Sequence, residues 1–494
     1  MNWDSTKPLK TGDIVFALSG GVLFSASQPP FITSFLAYFC LVPLLISLRD
    51  KSYRSAFLLG YLWGFISNLL SLYWIALPTF AGMLGAVFIL SLYNALFGVI
   101  FVFIYRRNWI VALGLTPIIW TAIEYVRGYG QLGFSWMDIG YTQGPYNVLI
   151  QIADIVGHHG ISFWIVCLNV LILAILWIKR RRWIPIILLI ALVLAPMIYG
   201  YISLKQIPEG DRIDIALMQS NIGSEMKWER EFKRKNIPLY ISMIDSMDEK
   251  VDLVVLPESA TAYYHRNHPS IIYQLEDASA KSGAKILTGT LDYNPECRHS
   301  HYYNSAILVS AEGFDQTYNK IRLVPMSEHV PFQDQIPVLR KLELGGSHFA
   351  MGEEYTVFDF EKGDFSVAIC FEILFGNLCR KFALNGATFI CNITNDSWFG
   401  TTPGPYQHAN FTRFRAVENR MFVARAAQTG ISLFADCKGR IFRSLDLNTK
   451  GCLIGYVIPR TTTTFFTRHG QWMGFGSLIA SPLLIMLVNF LFKV

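Results

Sequence analysis

The sequence predicts an α/β domain inserted into an all-α membrane domain. Three observations carry this: 52% of residues are hydrophobic and only 16% charged, apolar runs near the length of a bilayer crossing recur along the chain, and the stretch 205–470 instead alternates short β-rich runs with helical ones. Soluble chains carry about 25% charged residues, so much of this apolar surface must face something other than water. The net charge of +6 is modest, and the basic residues sit in short runs between apolar stretches instead of on one face that could follow phosphates, which excludes nucleic acid as a partner. The eight cysteines form no CxxC pair and no Cys/His zinc spacing, so neither a disulfide framework nor a structural metal is indicated, and no cofactor is expected.

A helical crossing needs about 20 apolar residues. Such runs fall at roughly 12–28, 31–48, 55–78, 83–105, 108–126, 161–178, 183–203 and 474–492, which predicts about eight spans. Lys7 and Lys10, then Arg49, Lys51 and Arg54, then Arg106 and Arg107, then Lys179 to Arg182, and finally Lys493 fall on alternate connections. Positive residues favour the cytoplasmic side. Segment 205–470 and the loop 127–160 are therefore expected on the extracytoplasmic face. The first run, with Ser25-Ala26-Ser27, also fits a cleavable signal peptide; retention is expected, because removal would leave the N-terminus on the wrong side. Two aromatic clusters suit the headgroup level: Phe134, Trp136, Tyr141 and Tyr146 in the loop, and Phe465, Phe466, Trp472 and Phe475 ahead of the last span. The expected domains are 1–204 with seven spans, 205–470, and a C-terminal span in 471–494.

Within 205–470, IDIALMQ at 213–219, DLVVLP at 252–257 and KILTG at 285–289 read as strands. FSVAIC ends at Cys370, EILFGNLCRKFALNG reads as a helix closed by Gly386, and TFICNI at 388–393 is the next buried strand. Strands alternating with helices predict a layered α/β domain, whose functional residues collect at strand ends and the loops after them. Three such positions are Glu258 after DLVVLP, Lys320 in YNKIRLVP, and Cys370. Acyl transfer needs a nucleophile, a base to deprotonate it, and positive charge where a carbonyl oxygen becomes negative; Cys, Glu and Lys supply one of each. Taken alone, each has a plainer reading: a core thiol, a helix-dipole carboxylate, a solvated loop lysine. Cys379 and Cys391 read as packing residues, and Cys297, Cys437 and Cys452 lie in loop or edge contexts.

Together, Glu258 in VVLPES, Lys320 in YNKIRLVPMSEHVPF and Cys370 in AICFEILF resemble, in order and context, the triad of the nitrilase superfamily. With the membrane spans, ITNDSWFGTTPGPYQHANFTRFRAVENR and ARAAQTGIS, the whole chain is similar to the apolipoprotein N-acyltransferases. The resemblance implies a nitrilase-like αββα sandwich between transmembrane helices. It implies Glu258 as general base, Lys320 as oxyanion stabiliser, Cys370 as the acylated nucleophile, and the Phe371 N–H as an oxyanion donor. It further implies Glu328 and Glu372 as supporting carboxylates and Trp228 as an aromatic needed for activity. Phe371 stands where the family commonly has Tyr, and SEHVPF departs from its usual Gly-Glu-Tyr form. Trp398, Phe399, Tyr406 and His408, in DSWFGTTPGPYQH, are expected to bind substrate or gate its entry.

The implied reaction is ping-pong: Cys370 takes an acyl chain from a phospholipid, and the α-amine of a diacylglyceryl apolipoprotein then takes it from the thioester, the last step of bacterial lipoprotein maturation. Exposing each CH₂ of such substrates to water costs roughly 0.8 kcal/mol, so the site is expected to open at the bilayer surface. The expected location is the bacterial inner membrane, multi-pass, with the catalytic domain periplasmic and the chain acting as a monomer. The alternatives are a membrane-anchored nitrilase-type amidohydrolase, in which water resolves the thioester, and a transporter with inert nitrilase-like residues. The predicted spans lack the paired charges of a transport pathway, Glu124 near a span end being a partial exception.

Overall fold

A computed structural model of the chain describes residues 7–206, 208–223, 230–294, 301–333, 335–336, 338–339 and 349–492. It divides into two compact units, Met1–Lys205 with His469–Val494, and Gln206–Arg468.

The first unit is helical. Its labelled helices are α1 (Thr11–Ala26), α2 (Val42–Ser47), α3 (Tyr53–Leu72), α4 (Phe80–Tyr105), α5 (Trp109–Arg127), α6 (Ala153–Trp177) and α7 (Trp183–Lys205), and the unit closes with the helix Trp472–Leu491. Local sequence starts several of them: Ser52, Thr79 and Asn108 each turn a side-chain oxygen back onto free N–H groups of the first turn. Among the described residues six helices are long and apolar enough to cross a membrane, the six expected runs from 55–78 onward; the first two expected runs fall on the shorter helices Thr11–Ala26 and Ser34–Ser47. At 1.5 Å per residue, the 16 residues of α1 reach about 24 Å.

The loop 127–160, expected at the headgroup level, packs part of its aromatic cluster into the helical unit. It coils into two 3-10 turns, Ile139–Gln143 and Leu149–Ile152, and buries Trp136 and Tyr141 inside the helical unit. The Trp136 ring packs 5.0 Å from that of Trp74. The physical reason is a charge pair within the segment: Arg127 Nη2 donates to Asp138 Oδ1 at 2.7 Å, both groups buried.

The second unit is an αββα sandwich. One sheet has the order β11-β1-β2-β3-β4-β5, the other β10-β9-β8-β7-β6. The strands are β1 (Ile213–Gln219), β2 (Leu253–Val255), β3 (Lys285–Asn294), β4 (His301–Ser310), β5 (Gly313–Asn319), β6 (Phe365–Ile369), β7 (Phe389–Thr394), β8 (Phe422–Ala427), β9 (Ser432–Ala435), β10 (Ile441–Leu445) and β11 (Gly451–Val457). β1, β2 and β3 run parallel, as do β6, β7 and β8, and the remaining pairings are antiparallel. The parallel strands are buried along almost their whole length, which is why they read as continuous apolar runs. The outer face of the first sheet is covered by the helices Arg230–Asp245 and Pro269–Ser282, through Ile237, Tyr240, Ile272 and Leu275 against Met218, Val254 and Ile286. Phe466, expected at the headgroup level, is buried in this unit.

β3 brings Gly289 against the chain that follows β2. A Cβ there would stand 2.5 Å from Ser259 N and 2.7 Å from both Glu258 Cα and Pro257 O. These are backbone atoms that cannot rotate away, so the glycine allows the Glu258 turn to lie on the sheet. Gly289→Ala is expected to destabilise the protein by about 1–3 kcal/mol through overpacking; an unchanged melting temperature would contradict this close approach.

Candidate active site

The ends of β2, β5 and β6 bring Glu258, Lys320 and Cys370 together. Lys320 follows β5 with 1% of its surface exposed. Its Nζ donates to Glu328 Oε1 at 2.9 Å and to Glu258 Oε1 at 3.3 Å. Asn304 Nδ2, from β4, spans the same two carboxylates at 2.8 Å and 3.0 Å. The second oxygen of Glu258 accepts the backbone N–H of Asn395 at 2.9 Å, and that of Glu328 accepts Val324 N–H at 2.8 Å. Burial by itself would lower the Lys320 ammonium, but the charges of Glu328 and Glu258 outweigh it and hold the group above its ordinary range.

Cys370 begins the 3-10 turn Cys370–Leu374 directly after β6, with φ +50° and 9% exposure. A left-handed backbone at a residue with a side chain is uncommon and costs about 1–3 kcal/mol; here it turns the chain sharply where the thiol sits. Burial pushes the thiol up, Glu258 adds to that, and Lys320 opposes it. The resting group is therefore an uncharged thiol, and the thiolate is the form that can act as a nucleophile. The Phe371 ring stands edge-on to Phe375 at 5.1 Å.

Glu372 ties the site's backbone together. Its Oε1 accepts from Tyr318 Oη, Ile321 N–H and Arg322 N–H at 2.7–3.0 Å, and its Oε2 accepts from Ile369 N–H at 2.8 Å. It joins the loop after Lys320 to the turn of Cys370. Burial pushes this carboxyl up to about 7 against those donors.

His408, expected to bind substrate or gate its entry, is fully buried: the helix Gly404–Asn419 turns it inward beneath Cys370. Its Nε2 lies 3.1 Å from the Cys370 carbonyl oxygen and its Nδ1 2.8 Å from Asp396 Oδ1. Arg425 Nη2 donates to Asp396 Oδ2 at 2.7 Å, and Arg425 also reaches Asn392. Burial opposes the Asp396 charge, but Arg425 and His408 hold its carboxyl well below the usual range. The other three expected entrance residues lie outside this core: Trp398 is 46% exposed, Tyr406 39%, and Phe399 is half-buried with its ring 5.9 Å from that of His408. Trp228 and Cys297 lie outside the described residues. Cys379 and Cys391 are buried packing thiols, and every described cysteine is free.

Sequence reasoning passed over Asn304, Asn395, Asp396 and Arg425. Asn395-Asp396 at the end of β7 obeys the strand-end rule that located Glu258, and offered the one usable signal; Asn304 and Arg425 are mid-strand polar residues whose partners come from other strands.

The fold and this thiol-bearing strand end place the second unit in a known class. Residues 214–465 match the model of the carbon-nitrogen hydrolases, so this is a nitrilase-type domain. The helical part is as specific: residues 20–171 match the apolipoprotein N-acyltransferase N-terminal domain. An apolipoprotein N-acyltransferase of Geobacter metallireducens is 34% identical over 93% of this chain and 92% of its own, and one of Chlorobaculum tepidum is 29% identical over 88% of each. The crystal structure of Saccharomyces cerevisiae Nit3, of the nitrilase superfamily, is 21% identical with a TM-score of 0.39, covering 50% of this chain and 90% of that one. The chain belongs to the apolipoprotein N-acyltransferase family.

Removing Arg425 would leave the Asp396 carboxylate buried beneath the nucleophile without its strongest partner. Arg425→Met is expected to cost about 3–5 kcal/mol of stability, read as a lowered thermal midpoint in detergent; a loss below about 1 kcal/mol would show that the pair does not hold this layer.

Proposed function

We propose that this chain moves a fatty acyl group from a phospholipid to the α-amine of the N-terminal diacylglyceryl-cysteine of apolipoproteins, with Cys370 as the acyl carrier. The observation that carries the assignment is the meeting of one thiol, one buried ammonium and one hydrogen-bonded carboxylate at three strand ends of a domain matched to the carbon-nitrogen hydrolases.

The chemistry follows from the geometry. Glu258 takes the Cys370 proton as sulfur attacks the ester carbonyl, which offsets the raised thiol pKa. Charge on the carbonyl oxygen is met by Lys320, which its carboxylate neighbours keep protonated, and by the Phe371 N–H. The C–O bond breaks and the departing lysophospholipid oxygen takes the proton from Glu258. The acceptor amine then attacks the thioester carbonyl, Glu258 accepts the proton shed by nitrogen, and as the C–S bond breaks Glu258 passes that proton to the departing sulfur, returning the thiol and leaving an amide. Glu328 and Asn304 position Lys320 and Glu258, Glu372 positions the turn, and His408 with Asp396 supports the Cys370 carbonyl. Trp398, Phe399 and Tyr406 form the lip that meets acyl chains, with Trp228 as a further contact.

The reading extends to topology. The helices Thr11–Ala26 and Ser34–Ser47 complete eight spans, the basic connections face the cytoplasm and residues 205–470 the periplasm, and the chain acts as a monomer. Protease added to intact spheroplasts is expected to cut within 205–470; protection of this region until the membrane is opened would reverse the orientation.

Incubated with labelled phospholipid, the protein is expected to gain one hydroxylamine-sensitive acyl group on the peptide carrying Cys370, and Cys370→Ala none. Glu258→Gln should slow acylation by about 10²–10⁴-fold. Addition of a diacylglyceryl-cysteine peptide should discharge the acyl group as an amide. Discharge only as free fatty acid would mean that water is the acceptor and the protein a hydrolase.

A further inference from the structure

The helical unit holds a second cluster of chemistry-bearing side chains, unrelated to the thiol. Asp138, His158 and His159 are all buried, and one ligand-type atom from each lies within 4.8 Å of the others. Asp138 Oδ2 stands 3.3 Å from His158 Nε2 and 3.7 Å from His159 Nε2. From these residues we propose a binding site for one divalent transition-metal ion of the zinc class, with Asp138, His158 and His159 as ligands and an open fourth position.

The spacing argues for an ion over direct hydrogen bonds. Charge-assisted N–H···O bonds shorten to about 2.7–2.9 Å, whereas two ligands each about 2.0–2.1 Å from a tetrahedral ion stand roughly 3.3 Å apart. Asp138 Oδ2 accepts no hydrogen bond among the described residues although it is buried, a costly state for a carboxylate oxygen. Its other oxygen is held by Arg127 Nη2 at 2.7 Å, which aims Oδ2 at the two rings in the manner of an outer-shell partner.

The backbone is shaped for the same convergence. Successive helical residues do not face one another, yet the His158 and His159 rings lie 4.0 Å apart. Gly157, at φ +63° and ψ −179°, breaks α6 just before them, a conformation a side chain would resist. Tyr141 stacks on His158 at 4.7 Å and Tyr125 stands edge-on to His159 at 5.5 Å. Glu124 Oε1 accepts from Ile139 N–H and Trp120 Nε1 at 2.8 Å, fixing the chain beside Asp138. The ion would pin the segment between α5 and α6 onto α6, a structural role separate from acyl transfer.

The competing occupant is a proton on one imidazole. Full-length protein stripped with a chelator in detergent and titrated with Co²⁺ is expected to take up one equivalent with visible bands of four-coordinate intensity. Zn²⁺ should displace it and raise the melting temperature. His158→Gln and His159→Gln, which leave the Arg127–Asp138 pair intact, should each weaken Co²⁺ binding at least about tenfold. Absence of cobalt bands and of any zinc effect on melting in folded wild-type protein overturns the proposal, as does equal binding by both variants. A melting temperature that responds to pH across the imidazole range but not to metal overturns it in favour of the proton.

Discussion

A lysine ammonium shut away from water stays charged only if carboxylates and hydrogen bonds replace its hydration, and much of the catalytic unit is arranged around that constraint at Lys320. Two carboxylates approach its Nζ, Asn304 bridges both, and backbone N–H groups of Asn395 and Val324 take up their remaining oxygens. The partners come from four strands or the loops after them, so the charge is stable only once both sheets are in register. The site is thereby a test of the fold: its electrostatics exist only in the assembled sandwich.

Cys370 rests on a second layer of the same kind. Cys370 occupies a left-handed turn, and strain of this sort persists only where the surroundings over-determine the backbone. Glu372 fixes the turn from one side by gathering backbone donors just after Lys320 and just before Cys370. His408, braced by Asp396 and Arg425, meets the Cys370 carbonyl from the other. The buried charge of Asp396 thus has a positional use, holding an imidazole against the Cys370 carbonyl.

The helical unit follows different rules. Three of its helices begin at side-chain caps, and small and aromatic residues are buried between helices, while apolar surface on Trp183–Lys205 and Trp472–Leu491 stays largely uncovered within the unit, as expected of helices that face lipid. The segment between α5 and α6 adds buried charge to this interior. There Arg127 and Asp138 draw the aromatic loop inward, and a sequence rich in Trp and Tyr that suits headgroups becomes part of the packed interior.

Composition and apolar periodicity determined the two-part architecture, because both reflect which surfaces must avoid water and need no knowledge of neighbours. The strands IDIALMQ, FSVAIC and TFICNI were legible for the same reason, each being apolar across both buried faces. Glu258, Lys320 and Cys370 were legible as strand-end residues of complementary chemistry, and the family resemblance joined them. Only the tertiary structure decided that His408 lies under Cys370, that Glu372 binds backbone, and that Asn304 and Arg425 stand beside Glu258, Glu328 and Asp396. Each of these roles depends on a partner from a distant strand or turn, and single-sequence periodicity reports the face a residue occupies but not what approaches that face from elsewhere.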